Sequence, residues 1–403
     1  MKQQLPFRTW LYFLAQSINL TTAVMSVSMA ALVGGMLAPA PWASTLPYGC
    51  QFLLVMLCTL PASRLMAVIG RRKSFLLACL PLALSGLSGY FAIEFHRFSL
   101  LILSHALLGI YISFANFNRF AATDGLAEHA KPRAISLVVA GGVIAAFLGP
   151  ILSSQLKSLA GFQPFSAAYL AFVALAAASL IINLLVPKAP RSTRYNKPTD
   201  NHPLLAQPRT TSLFRVIIAR ADIRLAVLIS ALGYGLMNLL MIQTSMQMSG
   251  TLCMAFDDVS KAIQWHVLAM FAPSFLAGRF IQTLGAKRIS LCGITLILIS
   301  ALINIWSNDP TAILTALIIL GLGWNLTYVG GSALFAAQTS SIANAVELQG
   351  INDLAISILA TLGAFAPAPL YAFFGWFGTN IMAIVLCMTL LTIHVTNKTR
   401  RQH

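Results

Sequence analysis

The chain has 403 residues, 58% of them apolar and only 9% charged, with a mean hydropathy of +0.80. Soluble domains carry about 25% charged residues, so a soluble globular protein is excluded and most of the chain must face lipid or other helices. The net charge of +16 comes from 26 basic and 10 acidic residues lodged in short gaps between apolar runs, a placement that excludes a solvated nucleic-acid face and belongs to membrane topology.

A spanning helix needs roughly 20 mainly apolar residues. Twelve such runs follow one another, starting near Thr9, Ala43, Ser74, Ser99, Arg133, Pro164, Arg224, Ser260, Ile289, Pro310, Asp353 and Gly375. The first, Trp10 to Leu37, is too long for a signal-peptide core and reads as a retained helix. It carries Met25 and Met29 four residues apart, with Gln16 and Asn19 at depth. Span two ends in Ser63 to Lys73, where Gly70 precedes the basic run Arg71, Arg72 and Lys73. Span four holds His105, then Asn116, Asn118 and Arg119, the last placed with the cytoplasmic charges. Span five, Ala140 to Pro150, is rich in small residues that let helices approach closely.

The longest polar stretch, Lys188 to Asp222, contains Pro190, Pro198, Pro203 and Pro208. It divides the chain into a six-helix half at 1–187, a cytoplasmic linker at 188–222 and a second six-helix half at 223–403. At an offset of 215 residues Gly70 falls on Gly285, and Arg72 and Lys73 fall on Lys287 and Arg288. Two parallel six-helix halves around a central pathway is a transporter architecture. With the N-terminus inside, 23 of the 26 basic residues lie on the cytoplasmic side and only Arg97, Lys157 and Lys261 outside, so both termini are expected in the cytoplasm.

Span seven carries Met237 and Met241, and span eight carries His266 and Met270, each pair four residues apart and therefore on one helical face. Antiparallel neighbours would set all four at similar depth. Three thioethers and one imidazole suit copper, Cu(I) above all, and disfavour Mg, Ca or Mn. A Met pair alone reads as packing, but a His at membrane depth wants a polar partner, which favours the metal reading for the four together. Met25 and Met29, 212 residues before Met237 and Met241, offer a secondary metal station, although packing is the plainer reading there. Met246, Met248, Cys253, Met254, Asp257 and Asp258 gather at the outer end of spans seven and eight. Further polar groups at depth are Asn238, Gln243, Gln264, Asn325 and Tyr328; with Trp324, Tyr111 and Phe114 they suit a planar organic solute.

No Asp or Glu is expected in the middle of a helix; Asp124, Glu347 and Asp353 read as cytoplasmic or helix-end residues. That counts against exporters of cationic drugs, which bury a carboxylate. The six cysteines are scattered singly, giving neither a disulfide framework nor a zinc site. Without a nucleophile, a carboxylate pair or a soluble domain, neither an enzyme nor a bound cofactor is expected.

Over its whole length the chain resembles the major facilitator superfamily. That family's loop after span two reads Gly-x-x-x-Asp-Arg-x-Gly-Arg-Arg; Gly70, Arg71 and Arg72 match its end, while Ser63, Ala67 and Val68 replace the first Gly, the Asp and the Arg. The departure bears on the family's charge-based cytoplasmic gate, not on the fold. The Gly141 to Pro150 segment resembles the family's Gly-Pro helix. A narrower resemblance runs through Arg119 to Ala122, Tyr234 to Met241 and Gln264 to Phe275, and points to the CcoA-like branch, which contains bacterial copper importers and, in related members, riboflavin importers. The resemblance implies an all-α membrane protein of twelve transmembrane helices working by alternating access in the bacterial inner membrane. The main expectation is copper import through Met237, Met241, His266 and Met270, with a riboflavin-like solute as the alternative.

Overall fold

A computed structural model describes residues 5–40, 43, 46–187, 210–254, 256–340, 342 and 344–399. Among them there is no strand. The α-helices are α1 Phe7–Leu37, α2 Leu46–Ile69, α3 Arg71–Glu94, α4 Phe98–Ala115, α5 Asn118–Ala121, α6 Lys131–Ala140, α7 Gly142–Leu156, α8 Ser166–Leu185, α9 Thr210–Ala219, α10 Ala221–Met246, α11 Phe256–Phe271, α12 Ser274–Leu284, α13 Ala286–Trp306, α14 Pro310–Thr339, α15 Ala345–Phe365 and α16 Pro367–Thr399. Eleven spans are long and apolar enough to cross a membrane. The 31 residues of α1 extend about 46 Å at 1.5 Å per residue and supply the twelfth.

Three of the spans are broken in two. Span four is α4 continued by α5, span five is α6 and α7 joined at Gly141, and span eight is α11 and α12 joined at Pro273, which cannot continue a helical hydrogen-bond ladder. Asp309 caps α14, accepting from the amides of Thr311 and Ala312, with Pro310 in the first helical position. The Thr311 hydroxyl and these amides hold the Asp309 carboxyl below its ordinary range. Residues 188–209 of the expected linker lie outside the described residues; its end forms α9, which buries Leu213 and Ile217.

The paired turns after spans two and eight match in backbone as well as sequence. Gly70 has φ +87° and ψ 153°, and Gly285 has φ +88° and ψ 142°. A positive φ of this kind strains any residue with a Cβ, so a glycine at both positions lets one helix end and the next begin without a loop. This end of the bundle carries Arg71, Arg72, Lys287 and Arg288 and is its basic end. Arg72, on the first turn of α3, donates from Nη2 to the Leu184 carbonyl (2.7 Å) and from Nε to the Asn183 carbonyl (3.2 Å) at the last turn of α8.

Most expected helix starts fall within three residues of the observed ones, but spans eleven and twelve begin eight residues early, at Ala345 and Pro367. Gly375, expected near the start of span twelve, is instead a kink inside α16 (φ 65°). The polar residues Glu347 and Gln349 look like loop in sequence, yet they belong to the first turns of α15, a helix that packs along α2. That contact runs from Gly49 against the Phe365 ring to Gly350 against the Ser63 hydroxyl. Spans five and eight form a second long contact: α6 lies on α12, where Gly278 leaves room for Arg133 and Ser136, and Gly142 of α7 faces the Phe271 ring.

Candidate functional site

Close to the basic end, a charge pair connects span four to span eleven. Arg119 sits on α5, its side chain 2% exposed, and Asp353 lies eight residues into α15, its side chain 5% exposed; Nη2 meets Oδ1 at 2.5 Å. Arg119 also donates from Nε to the Ser332 hydroxyl of α14 (3.1 Å) and from Nη1 to the Asn116 carbonyl (2.7 Å). Its guanidinium lies over two rings, Phe120 at 4.4 Å and Tyr328 at 4.6 Å. Asn352 donates to the same Asp353 oxygen (3.0 Å), and Oδ2 has no partner. A desolvated charge is tolerated only when paired and hydrogen-bonded, and the guanidinium meets that condition.

The expectation that Asp353 is a helix-end residue is therefore corrected: α15 starts earlier than the hydropathy break, which carries the carboxylate inside. Nor is the basic end without a charge-based closure, although the acidic position of the loop motif is Ala67. Arg71 pairs with Asp124 on the loop after α5 (2.9 Å) and donates to Gln349 of α15 (2.6 Å), and Arg8 donates to the Asp124 carbonyl. Asp124, outside the motif, takes the acidic role. Ser63, where the motif has its first Gly, is accommodated by Gly350 on the opposite helix.

On α14, the helix that supplies Ser332 to Arg119, is an aromatic group. Trp324 lies halfway along α14 and stacks on Tyr328, one turn away, with ring centroids 4.9 Å apart and planes 11° from parallel. Tyr234, halfway along α10, meets both rings edge-on at 5.5 and 5.9 Å, and Phe271 meets Trp324 edge-on at 5.5 Å. The Trp324 indole N–H is buried and has no partner. Spans one and four contribute a polar patch: Asn19 donates to Gln16 (3.5 Å) and Asn116 (3.4 Å), and Asn118 donates to Gln16 (3.3 Å). Stacked rings beside hydrogen-bonding amides can hold a planar polar solute.

The four expected metal residues lie on α10 and α11. His266 is fully buried on α11 and donates from Nδ1 to the Leu317 carbonyl of α14 (2.7 Å), which leaves Nε2 as a buried acceptor without a partner. Met270 is buried one turn along, and its carbonyl accepts from Asn325 (2.6 Å). Met237 is buried and Met241 half-buried on α10, a helix that packs chiefly on α14 and α15 and touches α11 only slightly. Among the described residues no three His, Cys, Asp or Glu come together to hold a metal ion. Met25 and Met29 are fully buried in an apolar cluster with Leu82, Leu101 and Tyr169. His105 has partners on both nitrogens: Nδ1 faces Gln51 (3.2 Å) and Ser26 (3.3 Å), and Nε2 faces the Tyr169 hydroxyl (3.0 Å). At the outer end Met248 is buried, Cys253 is exposed and Asp258 pairs with Lys261 at 3.6 Å; the Asp257 side chain lies outside the described residues.

The family model "Major Facilitator Superfamily" matches residues 7–263. The chain belongs to the major facilitator superfamily. This facilitator is 32% identical over 392 residues, 94% of each chain, to a protein of Brucella anthropi named Riboflavin transporter RfnT. It is 26% identical over 298 residues, 70% of this chain and 66% of the other, to the uncharacterized MFS-type transporter YdeG of Bacillus subtilis. Two solved structures share the facilitator's fold. The human organic anion transporter MFSD10 superposes with a TM-score of 0.78 at 15% identity, covering 96% of this chain and 99% of that one. FucP in the outward conformation gives 0.73 at 15% identity, covering 98% and 97%. The copper importer branch finds no support among these relatives; the named substrate is riboflavin.

Proposed function

We propose that this facilitator imports riboflavin or a closely similar planar solute across the bacterial inner membrane. The observation that carries the reading is the 32% identity to a named riboflavin transporter over 94% of both chains. Two six-helix halves, 1–187 and 223–403, joined by 188–222, rock about a central site, with the basic end and both termini in the cytoplasm. Trp324, Tyr328 and Tyr234 supply the stacking faces, and the free Trp324 N–H suits a ring carbonyl. The chain acts as a carrier and makes or breaks no covalent bond.

The test is growth of a riboflavin-auxotrophic bacterium on limiting riboflavin, with and without the chain. Expression should restore growth, and Trp324→Ala should weaken the apparent affinity for uptake by roughly 5- to 150-fold, the 1–3 kcal/mol of a lost aromatic stack. No growth with the protein present in the membrane overturns the reading.

Copper import stays as the second reading because of one feature. An imidazole whose Nδ1–H is held by a backbone carbonyl and whose Nε2 lone pair is free has the state a metal ligand needs. Cellular copper that rises with the chain, and falls to background in His266→Ala and Met270→Ala, would favour it.

A further inference from the structure

We propose that Tyr328 carries the signal of an occupied site to the closure at the basic end, because its ring is shared between the Trp324 stack and the Arg119 guanidinium. The inference rests on the reading that a planar solute binds at Trp324.

Trp324, Tyr328 and Ser332 are four residues apart along α14 and form one stripe of that helix. At one end of the stripe is the stack and the free indole N–H; at the other, Ser332 accepts from Arg119. Tyr328 stands between them, 4.9 Å from Trp324 and 4.6 Å from the guanidinium. A planar solute inserted between two rings needs them about 7 Å apart, two van der Waals contacts of ~3.5 Å. The Trp324 and Tyr328 rings are already in stacking contact, their centroids 4.9 Å apart, so insertion must part them by one further contact distance of ~3.5 Å and drives Tyr328 away from Trp324. Arg119 cannot follow while keeping its present bonds, since it is fixed to Asp353, Ser332 and Asn116 at 2.5 to 3.1 Å. Stacking the solute thus presses the Tyr328 ring against Arg119 and loosens the one described ion pair that connects span four to span eleven. Empty, the ring holds the basic end closed; occupied, it releases it.

The experiment uses the full chain in membrane vesicles, with its six cysteines replaced by serine and Ala336→Cys, near the basic end of α14, as reporter of opening through its rate of maleimide labelling. Without solute, Tyr328→Leu should raise that rate roughly 5- to 30-fold, the range of a desolvated cation–π contact, while Tyr328→Phe, which keeps the ring, should hold the parent rate. Equal rates in all three overturn the proposal. Riboflavin should accelerate labelling of the parent and produce no further rise in Tyr328→Leu. Riboflavin that quenches tryptophan fluorescence of the parent without changing its labelling also overturns the proposal. Absence of quenching overturns the riboflavin reading instead, and the solute-free comparison of Leu with Phe then decides whether Tyr328 holds the gate.

Discussion

Asp353→Asn keeps the size of the side chain and removes its charge. Arg119, 2% exposed and enclosed by Phe120 and Tyr328, is then left with neutral partners only. Breaking a buried ion pair from one side costs about 3–5 kcal/mol because it leaves an uncompensated charge, and removing both charges lifts that penalty. At an unfolding entropy of about 2.1 cal/mol/K per residue, the 403-residue chain loses roughly 0.85 kcal/mol of stability per degree. Asp353→Asn should therefore lower the midpoint of thermal unfolding in detergent by about 4–6 °C, and the double variant Arg119→Gln, Asp353→Asn should return to within about 2 °C of the parent. Fluorescence-detected size exclusion after heating measures both. A double variant as unstable as the single one would refute the argument, because the loss would then come from something other than an uncompensated charge.

Gly350→Ala drives a methyl into the Ser63 hydroxyl and should cost about 1–3 kcal/mol by overpacking; adding Ser63→Gly should recover most of it in the same heating assay. His105→Leu removes an imidazole bonded on both nitrogens and strands the Tyr169 hydroxyl, while Gln51 keeps its bond from Ser26, so a loss of about 1–3 kcal/mol is expected, with the half-saturation concentration for riboflavin uptake unchanged. Met25→Leu and Met29→Leu, at fully buried sites, conserve volume and should each cost under about 1.5 kcal/mol, leaving uptake intact; loss of uptake at normal stability would restore them as ligands. The Asp309 cap depends on an ionised carboxyl whose folded pKa lies below its unfolded value. Its stabilisation is present above the unfolded pKa and disappears as pH falls below about 4, so the protection of the Thr311 and Ala312 amides relative to their intrinsic exchange rates should fall there.

Hydropathy was enough to count the spans and to place most of their starts, because apolar runs of that length are what a membrane requires. The repeat was legible at Gly70 and Gly285 because a backbone with positive φ leaves a mark on residue type. Trp324 and Tyr328 were legible only as two of four aromatic residues available to a planar solute, with Tyr111 and Phe114. What stayed hidden was pairing over long separations. Nothing in the neighbourhood of Arg119 announces Asp353, 234 residues away, and the carboxylate read as a helix end because the polar first turns of an interface-buried helix look like a loop. Substrate was ambiguous for a related reason: a thioether that packs and one that binds metal are the same residue. The position of His266 was legible, its bond to a carbonyl on α14 was not.

Cations at the start of a helix oppose its dipole, by about 0.3–1 kcal/mol each near the surface. Arg71, Arg72 and Lys73 all begin α3, so on their own helix they are a liability. Arg72 reverses the sign by reaching sideways: its guanidinium caps the exposed carbonyls that end α8, where positive charge is favoured. A residue of the basic end thus stabilises the terminus of a helix more than one hundred positions later, and neutralising it should fray α8, not α3.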